Sequence, residues 1–201
     1  MDDTTWVTND KESLETILEI ADDFYNLTSI KVNKTKSELL VHVPGETTIY
    51  NQPIILNFGH NQISITPKQY NESARILGAW VNLAGSNKFV NAQLRTDVIT
   101  FCNVLKRKYI TDKQLLYLWN MVIIPRLEYR SQLTILDRND CHKITSPFRK
   151  FFKNKLNLSI SAPNAIMESN LIYNFRDFYE VQLQSKISNF LIQVNDTALM
   201  G

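Results

Sequence analysis

Met1-Asp2-Asp3-Thr4-Thr5-Trp6-Val7 is the stretch whose reading decides the fold of the first part of the chain. Two adjacent carboxylates stand directly ahead of Thr4–Val7, whose β-branched and aromatic residues predict a short strand. Carboxylates at the start of a strand present oxygen ligands suited to Mg²⁺, a hard cation. A second doublet, Asp22-Asp23, lies inside a helical pattern and reads as a solvated helix face. The residues that follow Asp2-Asp3 set the two doublets apart.

Outward from that stretch, Asn9-x-x-Glu12 has the form of a capping box. Leu14, Ile17, Leu18, Ala21, Phe24 and Tyr25 then recur at helical spacing. Glu12, Glu15, Glu19, Asp22 and Asp23 fall largely on other faces and are expected in solvent. A basic link, Ile30-Lys31-Val32-Asn33, leads to Glu38–Val43, which predicts a strand. Strand, helix, strand is a crossover unit, in which the helix covers one sheet face. Between residues 46 and 82 the short apolar runs Thr47–Tyr50, Ile54–Phe58, Ile63–Thr66 and Arg75–Val81 predict short strands. Gly78 marks a bend or a close backbone approach.

Past Gly85-Ser86-Asn87 the pattern becomes helical. Val90, Leu94, Val98, Phe101 and Leu105 line one helix. Thr111 or Asp112 caps the next, with Leu115, Leu118, Trp119, Val122 and Ile123 inward and Pro125 bending or ending it. Residues 137–155 predict a third helix, interrupted near Pro147, and Pro163 opens a short segment. Asp177–Val194 predicts the last, with Phe178, Leu183, Ile187, Phe190 and Leu191 on its apolar side. The fold class is therefore read as α+β: a small sheet with a crossover helix over residues 1–85, then an all-helical region over 86–201.

Composition narrows the function classes. The chain has 201 residues, 44% hydrophobic and 21% charged, which excludes a disordered or collagen-like protein. Cys102 and Cys141 form no C-x-x-C pair and are expected to be reduced thiols. No apolar run approaches the ~20 residues of a membrane span, and the N-terminus is acidic rather than signal-like. The net charge is +2, but residues 1–30 carry eight acidic side chains against one basic, so the rest of the chain carries +9. That asymmetry predicts an acidic site at one end and an anion-binding surface elsewhere. The basic run Arg138, Lys143, Arg149, Lys150, Lys153 and Lys155 suits phosphate contact, since Lys and Arg release counterions from nucleic acid. Phe148, Phe151 and Phe152, interleaved with it, read as core, as do Trp80 and Trp119. Lys106-Arg107-Lys108 is a second basic cluster, also suited to a helix C-terminus. His42, His60 and His142 are too scattered for a zinc site.

Several stretches resemble one family, in the same order along the chain. The chain resembles the C-terminal half of a reverse transcriptase from a non-LTR (LINE-type) retrotransposon. Met1-Asp2-Asp3 matches the end of that family's aromatic-x-Asp-Asp palm turn. Asn33, Lys36 and Ser37 match its Asn-x-x-Lys-Ser/Thr element. Arg75-Ile76-Leu77-Gly78-Ala79-Trp80-Val81 matches its primer-gripping Leu-Gly hairpin. Gln114–Tyr129 and Pro163–Asp196 are similar to its thumb-like helices.

The resemblance implies a distal palm fragment over 1–85 and a thumb-like region over 86–201. It implies Asp2 and Asp3 as catalytic Mg²⁺ ligands and Lys36 as the cation that neutralises or protonates the leaving pyrophosphate. Leu77 and Gly78 become primer-grip-like positions, with an RNA template and a DNA primer as partners and a nuclear location. The motif's aromatic, the fingers and the earlier palm aspartate have no counterpart here. The isolated chain is therefore expected to be inactive unless a second chain supplies the missing half. Two alternatives stand beside it: a non-catalytic helical nucleic-acid-binding module, and a decayed mobile-element remnant.

Overall fold

The computed structural model describes residues 4–31, 33, 36–43 and 52–196. The fold class is α+β, and the chain divides between Ser86 and Asn87 into two compact units. Asp2, Asp3 and the Thr47–Tyr50 run lie outside the described residues.

In the first unit, helix α1 (Lys11–Leu27) is capped by Asp10 rather than Asn9. The Asp10 carboxylate accepts from the Ser13 N–H at 2.7 Å and from Ser13 Oγ at 2.9 Å. An ionised oxygen makes the stronger bond to an orphan first-turn amide, so the carboxylate takes the cap. Helix α1 lays its apolar stripe on a hairpin of β1 (Ile54–Phe58) and β2 (Asn61–Ile65), antiparallel with Ile54 opposite Ile65. Leu18, Leu56 and Phe58 form the buried cluster, ringed by Trp6, Leu14, Tyr25, Leu39 and the outer strand residues.

The β1–β2 loop is Gly59-His60, and Gly59 takes φ 56° at the first loop position, where a two-residue turn favours glycine. Space demands glycine too: a Cβ there would lie 2.2 Å from Asp22 Oδ2. Asp22 is only 8% exposed, so the expectation of a solvated face is corrected at this residue. The hairpin turn closes over it, and Asn26 Nδ2 donates to its Oδ2 at 3.3 Å. Glu15 is also engaged, accepting from the backbone N–H of Asn57 at 3.0 Å and from its side-chain amide at 3.2 Å.

A second hairpin joins β3 (Ser73–Ile76) and β4 (Ala79–Asn82) through Leu77-Gly78. Both turn residues have positive φ, 47° and 89°, the requirement of a type I′ turn. The two hairpins are separate sheets.

The crossover expected around α1 does not form among the described residues, because Thr4–Val7 and Glu38–Val43 are irregular. Trp6 and Leu39 from these segments pack against the Leu18 cluster. Thr4 Oγ1 shares a hydrogen bond with the Tyr25 hydroxyl at 3.1 Å, and the Leu39 carbonyl accepts from the Lys68 N–H at 2.9 Å. Such isolated bonds hold the segments down without building a strand pair.

The second unit is helical: α2 (Lys88–Lys106), α3 (Asp112–Leu118), α4 (Ile124–Arg130), α5 (Arg138–Lys155), α6 (Ala165–Glu168) and α7 (Phe178–Asn195). Thr111 caps α3 in a capping box with Gln114. Helices α2 and α5 pack side by side and run in the same direction. Asn87 Nδ2 donates to Ile135 O, Asn91 Nδ2 to Asp140 Oδ2 and Arg95 Nη1 to Lys143 O, at 3.0, 2.7 and 3.0 Å. Trp119 is wholly buried at the centre, its ring 4.5 Å from Phe148 and 4.7 Å from Phe175, with Phe152 beside them. Such offset ring pairs add to plain area burial.

Helix α5 is not interrupted at Pro147, which corrects that expectation, whereas Pro125 falls in the first turn of α4, where its missing N–H costs little. Between α3 and α4 the chain makes a π-turn over Trp119–Ile123, with the Ile124 N–H reaching Trp119 O. The wider turn takes up the place where Pro125 would otherwise clash with the carbonyl four residues back. Helix α5 continues through Pro147. Proline has no N–H to offer the Lys143 carbonyl, and Arg95 from α2 donates to that oxygen instead. A further correction concerns α7. Phe178 and Gln182 are its buried residues, whereas Leu183, Ile187, Phe190 and Leu191 are exposed. Among the described residues no helix is long and apolar enough to cross a membrane.

Candidate nucleic-acid interface

Helix α5 carries the six cations singled out in the sequence, and burial sorts them into two groups. Arg149 is 4% exposed and Lys153 6%. The Arg149 guanidinium forms ion pairs with Glu168 on α6 and, at 2.5 Å, with Asp177 at the start of α7. Its Nε donates to Thr145 Oγ1 at 3.3 Å, and the group lies 5.4 Å from the Phe175 ring centre. Lys153 donates through Nζ to the carbonyls of Ile160 and Ala162 at 3.2 and 2.5 Å.

These two side chains tie the 156–177 segment to α5. Buried and bonded within the unit, they are corrected from phosphate ligands to internal ties.

Arg138, Lys143, Lys150 and Lys155 are exposed. Lys143 and Lys150, seven residues apart, share a face, while Lys155 lies roughly 140° round the helix from Lys150 at 3.6 residues per turn. Arg138 leans 5.5 Å from the Tyr179 ring centre and Lys155 5.9 Å from that of Phe151. The solvent-facing charge on α5 is thus spread round the helix, with Lys143 and Lys150 its one aligned pair.

Helices α5, α6 and α7 border a polar cleft of about 900 Å³ that includes Arg138, His142, Asn170, Arg176 and Glu180. Arg176 escaped the sequence reading because it lies in an irregular segment that another element positions. Asn120, on the π-turn, donates to Asn174 O at 2.9 Å and accepts from the Arg176 N–H at 3.0 Å, while Trp119 Nε1 donates to Arg176 O at 3.0 Å. No local pattern around Arg176 carries that information.

In the first unit, Lys36 is exposed, and its backbone N–H closes a turn onto Asn33 O at 3.1 Å. Leu77 and Gly78 form the tip of the β3–β4 hairpin, with the Leu77 side chain 65% exposed. Asp2 and Asp3 lie outside the described residues, and no group of three or more His, Cys, Asp or Glu gathers among the described ones. The described carboxylates thus offer no cluster that fits a pair of metal ions. His42 stacks on Tyr70 at 6.3 Å between ring centres.

Both cysteines are free and buried. Burial pushes the Cys102 thiol up to about 11. Burial, reinforced by the carboxylates of Asp177, Asp137 and Asp140, pushes Cys141 up to about 12. Neither is a nucleophile near neutral pH.

No protein-family model, no curated protein and no solved structure matches the chain. The functional reading therefore rests on the residues themselves.

Proposed function

We propose that this chain is the distal part of an RNA-directed DNA polymerase of the LINE retrotransposon type, with a helical unit that holds nucleic acid. The observation that carries the reading is the β3–β4 hairpin. The resemblance expects a primer-gripping hairpin at Arg75–Val81, and that segment is a two-residue type I′ hairpin with Leu77 projecting at its tip. The order of Asp2-Asp3, Asn33/Lys36/Ser37, this hairpin and the helical region supports it further, as does the +9 carried beyond residue 30.

In the family, Mg²⁺ activates the primer hydroxyl and stabilises the departing pyrophosphate. Asp2 and Asp3 are the residues of this chain proposed to hold it, and Lys36 the one proposed to neutralise the leaving group. Two carboxylates are too few to cage two metal ions, so the isolated chain is expected to incorporate no labelled dNTP on a primed RNA template. Incorporation by the purified chain, abolished by Asp2→Ala, would overturn the proposed dependence on a second chain. If a chain bearing the fingers and a further palm aspartate restores incorporation, Lys36→Ala should lower the rate by about 10²–10⁴-fold, the scale of one general acid.

A binding module without catalysis is the second reading, favoured by the exposed cations of the helical unit. It separates from the first by complementation: nucleic acid is bound, yet no added chain restores synthesis. Absence of any binding near physiological salt would favour a remnant.

A further inference from the structure

We propose that the cleft between Tyr109 and Tyr117, at the junction of α2 and α3, is a stacking site for unpaired bases of single-stranded nucleic acid. The inference deepens the nucleic-acid reading above and rests on it. The cleft measures about 620 Å³, is open to solvent, and is lined by residues that include Lys108, Tyr109, Ile110, Lys113, Tyr117 and Leu118. That volume falls within the roughly 300–1,000 Å³ of small-molecule sites, and the lining is mostly apolar, as a base face requires.

The two tyrosines are placed unlike core aromatics. Tyr109 is fully exposed and Tyr117 is 62% exposed, and among the described residues neither ring packs on another aromatic or bonds through its hydroxyl. Yet the backbone under them is held firmly. Lys108 N–H bonds to Leu105 O at the end of α2, and two residues past Tyr109 the Thr111–Gln114 capping box starts α3. Tyr109 is carried on the turn between α2 and α3 and Tyr117 on α3, so the backbone positions of both rings are fixed before a base arrives.

Charge selects the ligand. Lys106, Arg107, Lys108 and Lys113 are all exposed and form no ion pair among the described residues. The nearby acid, Asp112, has its Oδ1 occupied by the Lys113 N–H at 2.9 Å. Four cations against the one nearby carboxylate, beside two exposed tyrosine rings, match what single-stranded nucleic acid offers: a polyanionic backbone with accessible π-faces. Duplex offers the charge and hides the faces. In this arrangement Lys106-Arg107-Lys108 does more than complement the end of α2.

The test measures fluorescence anisotropy of the full chain with a labelled 12-nucleotide single-stranded RNA and with a blunt duplex of the same length. Tyr109→Ala and Tyr117→Ala should each weaken single-strand binding by about 5- to 150-fold, the range for loss of one stacked base. Duplex affinity and thermal unfolding should be unchanged, and Tyr109→Trp should retain binding. Lys108→Ala with Lys113→Ala should flatten the logarithmic salt dependence by about 0.7 for each lost phosphate contact.

Unchanged single-strand affinity in both tyrosine variants, with duplex binding intact, would overturn the stacking site and leave the nucleic-acid reading standing. Binding of neither oligonucleotide would overturn both. Binding to phosphatidylserine vesicles that needs Tyr109, with RNA binding independent of it, would make the cleft a membrane contact and sink the proposal.

Discussion

At the scale of single residues, Arg149 is the most consequential side chain in the helical unit. Its guanidinium joins α5 to Glu168 and to Asp177, and Asp177 also caps α7 by accepting from the Tyr179 and Glu180 N–H groups. Arg149→Ala strands two carboxylates against an apolar ring cluster, and breaking such a pair from one side costs about 3–5 kcal/mol. Since Glu168 is partly open to solvent, the lower end of that range is expected, read as a shift of the urea midpoint. Arg149→Lys should recover only part of the loss, because an ammonium cannot span both partners as a planar fork does.

The two thiols give a second prediction at the same scale. Cys102 and Cys141 should resist iodoacetamide at pH 8 in the folded protein and react once urea unfolds it. Their pH dependence has a definite sign. The thiols remain neutral in the folded protein up to about 11 and about 12, whereas their ordinary value is 9.0. Their contribution to stability is complete below pH 9 and is lost as pH rises from there towards those values.

At the scale of elements, Pro147 shows how a helix can contain its usual breaker. In α5 the remedy is external, since Arg95 takes the place of the missing donor at the Lys143 carbonyl. Arg95→Ala should destabilise the helical unit by about 1 kcal/mol, the net worth of one hydrogen bond. In the background of Pro147→Ala, where an N–H again reaches that carbonyl, the same change should cost less. A double-mutant cycle on thermal or urea unfolding should show coupling of about 0.5 kcal/mol or more, and simple additivity would refute the link.

Periodicity made α1, α2, α5 and α7 visible in advance, and Thr111 announced the start of α3. The Asp10 cap was missed because Asn9 offered an equally good local pattern, and only the geometry of Ser13 distinguishes them. The continuity of α5 across Pro147 was hidden for a different reason: its compensating donor, Arg95, lies about fifty residues upstream.

At the scale of the whole molecule, the two units differ in how much they bury. The first rests on the cluster of Leu18, Leu56 and Phe58, whereas the second encloses Trp119, Phe148, Phe152, Phe175 and Phe178 with several aliphatic neighbours. Small cores are marginal, so amides of β1 and β2 should exchange faster than those of α2 and α5. Leu18→Ala, at about 2–5 kcal/mol, should melt the first unit while the Trp119 cluster keeps its near-ultraviolet dichroism. A single cooperative loss of both would contradict this.

The amino-acid sequence by itself determined where the long helices form, because periodic spacing acts over a few residues, whereas the irregular course of Thr4–Val7 and Glu38–Val43 was not legible in it. It also determined the uneven charge that directs attention to nucleic acid. Only the tertiary structure decided which polar groups face water. Asp22 is enclosed because Gly59 turns over it, and Arg149 and Lys153 point inward because Glu168, Asp177 and two loop carbonyls meet them there. Tyr109, on the turn between α2 and α3, and Tyr117, on α3, are open because no described residue covers them. Burial depends on partners remote in the chain, and a charged side chain carries no local mark of whether such a partner awaits it.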